Sequence, residues 1–224
     1  MTKDLIIFEM ANNHQGDMDH AKKIIDQLAK ISKEYKLNSC VKFQYRDLDS
    51  FVHPSVKGNL DIHYVKRFES TRLTFEQFEE LIKYCRASKI QSMVTPFDEA
   101  SVPKAVSHGV DFLKVASASA DDWSLLESVA DAGLPIVAST GGLSILEVDR
   151  LYSFFKHKGC DYALMHCVGI YPTPPEKLNL SLIQKYKRRY HDIPVGYSGH
   201  ENPDDTDTVK VAFGLGARLF ERHI

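Results

Sequence analysis

The chain has 224 residues, 43% hydrophobic and 26% charged, with a formal net charge of −2. That length supports one large domain with a substantial core. The near-neutral balance excludes the basic stripe of a typical nucleic-acid binder, and no apolar run approaches the roughly 18 residues of a membrane span. The opening run Leu5-Ile6-Ile7-Phe8 is broken by Glu9 and is too short for a signal peptide. Cys40, Cys85, Cys160 and Cys167 are widely spaced and form no CxxC pair, which reads as reduced thiols in a cytoplasmic protein.

In chain order, β-rich runs occupy residues 5–11, 40–45, 92–97, 112–117, 135–140, 162–168, 194–198 and 218–223. Most are almost continuously apolar, the pattern of parallel strands buried on both faces. Amphipathic segments separate them. Residues 18–35 carry Ile24, Ile25, Leu28 and Ile31 on one stripe. Phe75, Phe78, Leu81, Ile82 and Cys85 form a second stripe behind Thr74, a good N-cap. Leu125, Leu126, Val129 and Ala130 form a third, ended by Gly133 ahead of Pro135. Residues 145–157, 180–190 and 206–215 also read as helices.

Eight strands alternating with helices predict an α/β fold, a (β/α)8 TIM barrel, with residues 1–224 as one domain. The missing GxGxxG after the first strand disfavours a dinucleotide-binding sheet. Residues 46–72 form the longest irregular segment and are expected over the barrel mouth. The sequence stops at strand eight with no helix to cover it, so apolar surface is expected there. The expectation is a barrel truncated after strand eight, the front part of a longer protein; the alternative is a partner chain over the gap.

In such barrels the C-terminal strand ends and the loops after them build the active site. Here those positions are unusually polar. They supply Glu9 and Asn12-Asn13-His14, then Lys42 and Gln44, Thr95-Pro96-Phe97-Asp98, Lys114 and Ser117. Ser139-Thr140-Gly141-Gly142, His166 and Tyr171, Ser198 and His200, and Glu221 and His223 follow. Lys42 and Lys114 lie inside apolar strands, where an unpaired charge is costly. Each either belongs to a structural ion pair with Glu9 or Glu221, or faces a polar cavity. Two such lysines with Thr95, Ser139 and Ser198 resemble a cradle for a phosphorylated or carboxylated anion. The small residues and backbone N–H groups of residues 139–142, ahead of a helix, suit a phosphate.

His200 and His223 end two late strands, so both imidazoles should reach the same mouth as half of a divalent-metal site. Glu9, Glu221, water or substrate would have to complete the shell. His166 reads as a hydrogen-bonded core residue. His14 is either structural or substrate-facing. His20, His53, His63, His108, His157 and His191 fall in helices or loops and read as incidental.

The run Glu9-Met10-Ala11-Asn12-Asn13-His14-Gln15-Gly16 resembles the opening motif of the N-acetylneuraminate (sialic acid) synthase family. Val41-Lys42-Phe43-Gln44, Thr95-Pro96-Phe97-Asp98, Lys114-Val115-Ala116-Ser117 and Ser139-Thr140-Gly141 continue the resemblance. Tyr171-Pro172-Thr173-Pro174, Gly196-Tyr197-Ser198-Gly199-His200 and Glu221-Arg222-His223 complete it in family order. The resemblance covers essentially the whole chain. It implies an enzyme that joins phosphoenolpyruvate to the aldehyde of an N-acetylated amino sugar, adds water and releases phosphate.

By that resemblance Lys42, Thr95, Lys114, Ser117, Ser139 and Ser198 hold phosphoenolpyruvate, and Gln44 and Tyr171 face the sugar. His200 and His223 bind manganese or magnesium, and Glu9 lies at the reacting end. The chemistry also leaves Glu9 or Glu221 as proton acceptor or support. The resemblance further implies a homodimer in which a C-terminal antifreeze-like domain, outside this sequence, reaches the partner's site. Departures fall mainly on the sugar side. Ser119 and Gly169 stand where a glutamate and an asparagine are usual, and Gly199 and Gly142 replace an aspartate and a methionine. Two other readings compete: a metal-assisted aldolase using pyruvate, and a non-catalytic sugar-phosphate-binding barrel.

Overall fold

The computed structural model describes residues 4–224. The chain runs β1 (Leu5–Glu9), α1 (Met18–Glu34), β2 (Ser39–Tyr45), α2 (Leu48–Phe51), α3 (His63–Ser70), α4 (Phe75–Ala87) and β3 (Gln91–Pro96). It continues through α5 (Ser101–His108), β4 (Phe112–Val115), α6 (Trp123–Asp131), β5 (Ile136–Ser139), α7 (Ile145–His157) and β6 (Tyr162–Cys167). It closes with α8 (Ser181–Arg189), β7 (Val195–Ser198), α9 (Asp207–Gly214) and β8 (Leu219–His223). All strand pairings are parallel, and β1 pairs with both β2 and β8, so the sheet closes into the expected (β/α)8 barrel.

Strand alternation divides the side chains into two cores. Leu5, Ile7, Cys40, Met93, Phe112, Val137, Ala163, Met165 and Leu219 form one buried cluster. They share the inward parity of their strands and fill the barrel. The opposite parity, for example Val41, Phe43, Val94, Leu113, Ile136, Leu164 and Phe220, packs under the helices in a larger cluster. The helices are begun by the residues their sequences offer. The Asp17 carboxylate accepts the Asp19 and His20 amides at the start of α1. Thr74 with Gln77, and Ser144 with Glu147, form capping boxes on α4 and α7.

Residues 46–72 are not irregular, contrary to the sequence expectation. They hold α2, a 3-10 turn at Pro54–Val56 and α3. Leu48, Val52 and Val65 give this segment a small core of its own. Its elements are too short for a periodic signal to emerge. Helix α5 was also unforeseen. Pro103 sits in its first turn, where proline is tolerated, but only Val102 and Ala105 mark its apolar face. Strand β1 ends at Glu9, two residues short of the expected limit, and Ala11 turns the chain with φ 47. Beside β8 and β1, Ile6, Leu37, Val209, Phe213 and Phe220 line an apolar groove of about 570 Å³. Phe213, on α9, is 55% exposed there, whereas the outward Phe220 of β8 itself is buried.

The loop after β1 is held from within by His14. Its Nδ1 accepts the Gly16 amide at 3.1 Å, its ring meets Phe78 edge-on, and the residue is buried. Of the two readings, the structural one therefore has direct contacts. Burial, assisted by His20, lowers the imidazole from 6.5 to about 4. The unfolded chain takes up the proton first, so stability is full above pH 6.5 and is lost as pH falls toward 4. By about pH 4.5 the loss attributable to this group is on the order of 2–3 kcal/mol. Urea unfolding of wild type and His14→Asn across this range checks it, because the variant should lose less stability on acidification.

Candidate active site

The C-terminal ends of the strands surround a cavity of about 760 Å³. All the residues given catalytic, substrate-binding or metal roles line it, whereas Asn12, Asn13, His14 and Asp98 do not. Glu9 comes from β1, Lys42 and Gln44 from β2, Thr95 from β3 and Lys114 from β4, with Ser117 just beyond. Ser139 comes from β5, Ser198 from β7 with His200 following, Glu221 and His223 from β8, and Tyr171 from the loop after β6. The strand residues share the parity of the barrel-filling cluster below them, so the polar layer continues the inner core upward.

Charge at the floor is organised around Lys42. Its Nζ lies 2.6 Å from Glu9 Oε2 and 2.8 Å from Glu221 Oε2, with all three side chains buried. The ion-pair reading of this lysine is therefore realised inside the cavity. Burial works against the ammonium, but Glu221 and Glu9 outweigh it and raise Lys42 above the ordinary lysine range. Burial likewise opposes ionisation of Glu221, yet Lys114 and Lys42 hold its carboxyl down at about 2. Glu221 Oε1 also accepts the Ser198 hydroxyl at 2.9 Å, and Glu9 Oε1 accepts the Ala11 amide at 2.7 Å.

Lys114 is less compensated. It donates to Ser139 Oγ at 2.7 Å and to the Val115 carbonyl at 3.2 Å, and lies 3.8 Å from Glu221. Burial lowers this lysine, with Glu221 opposing. Thr95 Oγ1 is buried in the same cavity without a hydrogen-bond partner, an orphan that a bound ligand would satisfy. The phosphate reading of residues 139–142 needs adjustment. The Gly141 amide donates to Ser117 Oγ at 2.9 Å, and the Thr140 hydroxyl binds the Met165 carbonyl and Tyr186. These contacts brace the β5 end against β6 and against the segment after β4, and the Ser117 hydroxyl is turned to the Cys167 thiol.

The two late histidines converge, with ring centroids 5.6 Å apart. A carbonyl can only accept, so the 2.9 Å contact to Val168 makes His200 Nδ1 a donor. Burial opposes charge on the ring, but Cys167 and this contact outweigh it and raise the imidazole above its ordinary value, so Nε2 can ligate only when the ring is neutral. Burial lowers the His223 imidazole, with Glu9 opposing, which keeps it neutral and able to ligate. Tyr171 stacks on His200 at 3.9 Å while remaining largely exposed. Among the described residues, no group of three or more His, Cys, Asp or Glu converges on one metal position.

Cys167 was missed as a site residue. On β6, Ala163, Met165 and Cys167 share the inward parity, and Cys167 Sγ lies 3.9 Å from His200 Nδ1. Its neighbour His166 is outward, buried, and bound through Nε2 to the Leu178 carbonyl at 2.7 Å, as a core histidine should be. Strict alternation from Met165 would have picked the cysteine.

The comparisons with known proteins agree with this geometry. The sequence profile of the NeuB family matches residues 29–224. The chain belongs to the NeuB family. It is 33% identical to an N-acetylneuraminate-9-phosphate synthase of Drosophila melanogaster, over 97% of this chain and 59% of that protein. Among solved structures, a candidate spore coat polysaccharide biosynthesis protein E from Chromobacterium violaceum superposes with a TM-score of 0.95 at 42% identity, covering 99% of this chain and 66% of that one. An N-acetylneuraminic acid synthetase from Leptospira borgpetersenii, in complex with citrate, gives a TM-score of 0.86 at 31% identity, over 99% and 73% of the two chains. This NeuB barrel therefore spans about three fifths of the length of the curated relatives it matches.

In this NeuB barrel, removing Lys42 leaves two buried carboxylates facing each other. Lys42→Met should cost about 3–5 kcal/mol of stability. Adding Glu9→Gln should recover part of that loss, because the groups form one network. Urea midpoints of the single and double variants measure both.

Proposed function

We propose that this protein is a phosphoenolpyruvate-dependent sugar-acid synthase, condensing phosphoenolpyruvate with the aldehyde of an N-acetylated amino sugar and releasing phosphate. The observation that carries the reading is one cavity holding a buried cationic cradle and two converging imidazoles. Phosphoenolpyruvate is multiply anionic. Lys114 with Ser139 and the unpartnered Thr95 hydroxyl supply donors it needs, and Ser117 lies beside them in the same cavity. Membership of the NeuB family and relatives named as sialic acid synthases support the same reading.

In this proposal C3 of phosphoenolpyruvate forms the new bond to the aldehyde carbon. Water adds at C2, and the C2–O bond to phosphate is lost as inorganic phosphate leaves. Glu221, held ionised with a carboxyl near 2, keeps Lys42 charged and aims Ser198. Glu9, between Lys42 and Gln44, is the proton acceptor. His200 Nε2 and neutral His223 would hold a manganese or magnesium ion, with water and substrate oxygens completing its shell. Such an ion, when bound, supplies Lewis acidity toward the aldehyde oxygen. Gln44 and Tyr171 lie on the acceptor side. The protein is further proposed to work in the cytoplasm on surface-sugar synthesis, as a homodimer in its full-length form; among the described residues no helix is long and apolar enough to cross a membrane.

Phosphate release from phosphoenolpyruvate should require manganese or magnesium together with an N-acetylated amino-sugar aldehyde. No release by the full-length protein across a panel of such sugars overturns the proposal, and pyruvate consumption without phosphate points to an aldolase. His200→Ala should weaken manganese binding by at least about tenfold in calorimetry.

The lysine cradle gives a second test. Lys114 binds the anion only while protonated, and burial sets its deprotonation below the ordinary 10.5. Phosphoenolpyruvate affinity should therefore fall as pH rises, and earlier than for an ordinary lysine. Lys114→Met should bind weakly and without that fall, as followed by calorimetry across alkaline pH.

A further inference from the structure

Arg46 is a guanidinium that the proposed chemistry leaves unused. It stands at the end of β2 and is caged by three aromatic rings, with its Cζ 3.8 Å from Phe97, 4.6 Å from Phe68 and 5.9 Å from Phe51. Among the described residues, no carboxylate lies within ion-pairing distance of it, and its buried Nε has no hydrogen-bond partner. A cation placed this way has lost much of its hydration, and burial outweighs the favourable charges of Glu9 and Asp98, neither of them in ion-pair contact. Its one side-chain hydrogen bond goes from Nη2 to Gln44 Oε1, at 2.9 Å.

That bond decides which way the Gln44 amide faces. Arginine can only donate, so Oε1 of Gln44 must point toward Arg46. On the other side stands Glu9, an acceptor-only carboxylate, and Gln44 Nε2 lies 3.5 Å from its Oε2. Two neighbours of opposite hydrogen-bonding character thus demand the same amide orientation. Glutamine between two ambivalent partners would flip; between these two it does not. Its second amide proton is left for whatever enters the cavity, which Gln44 lines.

We infer that Arg46 is a specificity-determining positioning residue: it locks Gln44 as a hydrogen-bond donor toward the acceptor, so that this point of the site reads an oxygen of the sugar, a carbonyl or hydroxyl, and rejects an N–H. The inference rests on the synthase reading for its kinetic consequence, but the locked amide itself does not. The cage also gives residues 46–72 a purpose, since α2 and α3 supply Phe51 and Phe68.

The test combines two readouts on the full-length protein. With N-acetylmannosamine as probe acceptor, Arg46→Met should raise the acceptor KM about tenfold. The phosphoenolpyruvate KM should stay within about twofold, a split that a general loss of structure would not produce. Arg46→Lys, which keeps a caged donor, should recover most of the acceptor affinity and serves if the methionine variant does not fold. In parallel, spectra of protein carrying 15N-glutamine should show two distinct, slowly exchanging Gln44 amide protons, identified by their loss in Gln44→Glu. These protons should shift and exchange faster in Arg46→Met. Unchanged Gln44 resonances in Arg46→Met overturn the lock, and equal rises in both KM values overturn the acceptor-side assignment. A wild type that releases no phosphate sinks the synthase reading alone, because the amide spectrum still decides whether Arg46 holds Gln44.

Discussion

Lys42 stands between two carboxylates at the seam where the barrel closes. Glu9 is on β1, Lys42 on β2 and Glu221 on β8, and β1 is hydrogen-bonded to both neighbours. Three buried charges in so small a space are tolerable only together, because each removes the desolvation cost that the others would face alone. Removing the lysine strands two anions, and removing either acid leaves the cation half-paired. The rest of the site is arranged around this triad. Glu221 reaches Ser198 on β7, Glu9 reaches the turn at Ala11, and Lys114 leans toward Glu221 from the far wall. With Lys114 counted, two ammonium groups face two carboxylates, and the buried charges balance. Lys114 itself has a hydroxyl partner at 2.7 Å rather than a close carboxylate.

Much of this was legible in the sequence, for one physical reason. In a parallel barrel both strand faces are buried, so a charged residue inside an apolar run must point into the mouth or into a pair. Lys42, Lys114, Glu9 and Glu221 announced themselves in that way, and the structure shows both outcomes at once. Lys42 is the structural ion pair and a wall of the cavity in the same geometry. His200 and His223 were legible from strand order alone, since neighbouring strands end at one mouth.

What escaped the sequence was whatever lacked periodicity or required knowing strand parity. Helices α2, α3 and α5 are four to eight residues long and have few buried positions, too few for a stripe to stand out. Cys167 looked like one more apolar residue because His166 beside it drew attention; only the alternation through Ala163 and Met165 turns the cysteine inward. Arg46 could not be recognised because its neighbours, Phe51, Phe68 and Phe97, come from three separate elements. A cage assembled across that much chain leaves no local pattern.

The three glycines that depart from the family pattern divide into different physical cases. Gly142 has φ +81, a left-handed conformation that resists a methionine side chain, so the loop after β5 is built for glycine. At Gly199 an added Cβ would lie 2.5 Å from Glu201 Oε2 and 2.8 Å from Tyr197. Glu201 is buried, bonded to Tyr197 and paired with Arg222, so it is poorly free to move aside. That pair joins the residue after His200 to the one before His223, and it occupies the space a side chain at 199 would need. Gly169 differs: nothing lies within 4 Å of where its Cβ would be. No backbone demand or collision explains glycine there, and the side chain it lacks is simply open space beside Ile170 and Tyr171, which line the cavity with it. The first two glycines are therefore tied to how this chain holds its loops. The third leaves open space in the cavity wall, so its absent side chain bears on the shape of the cavity rather than on how the loop is held.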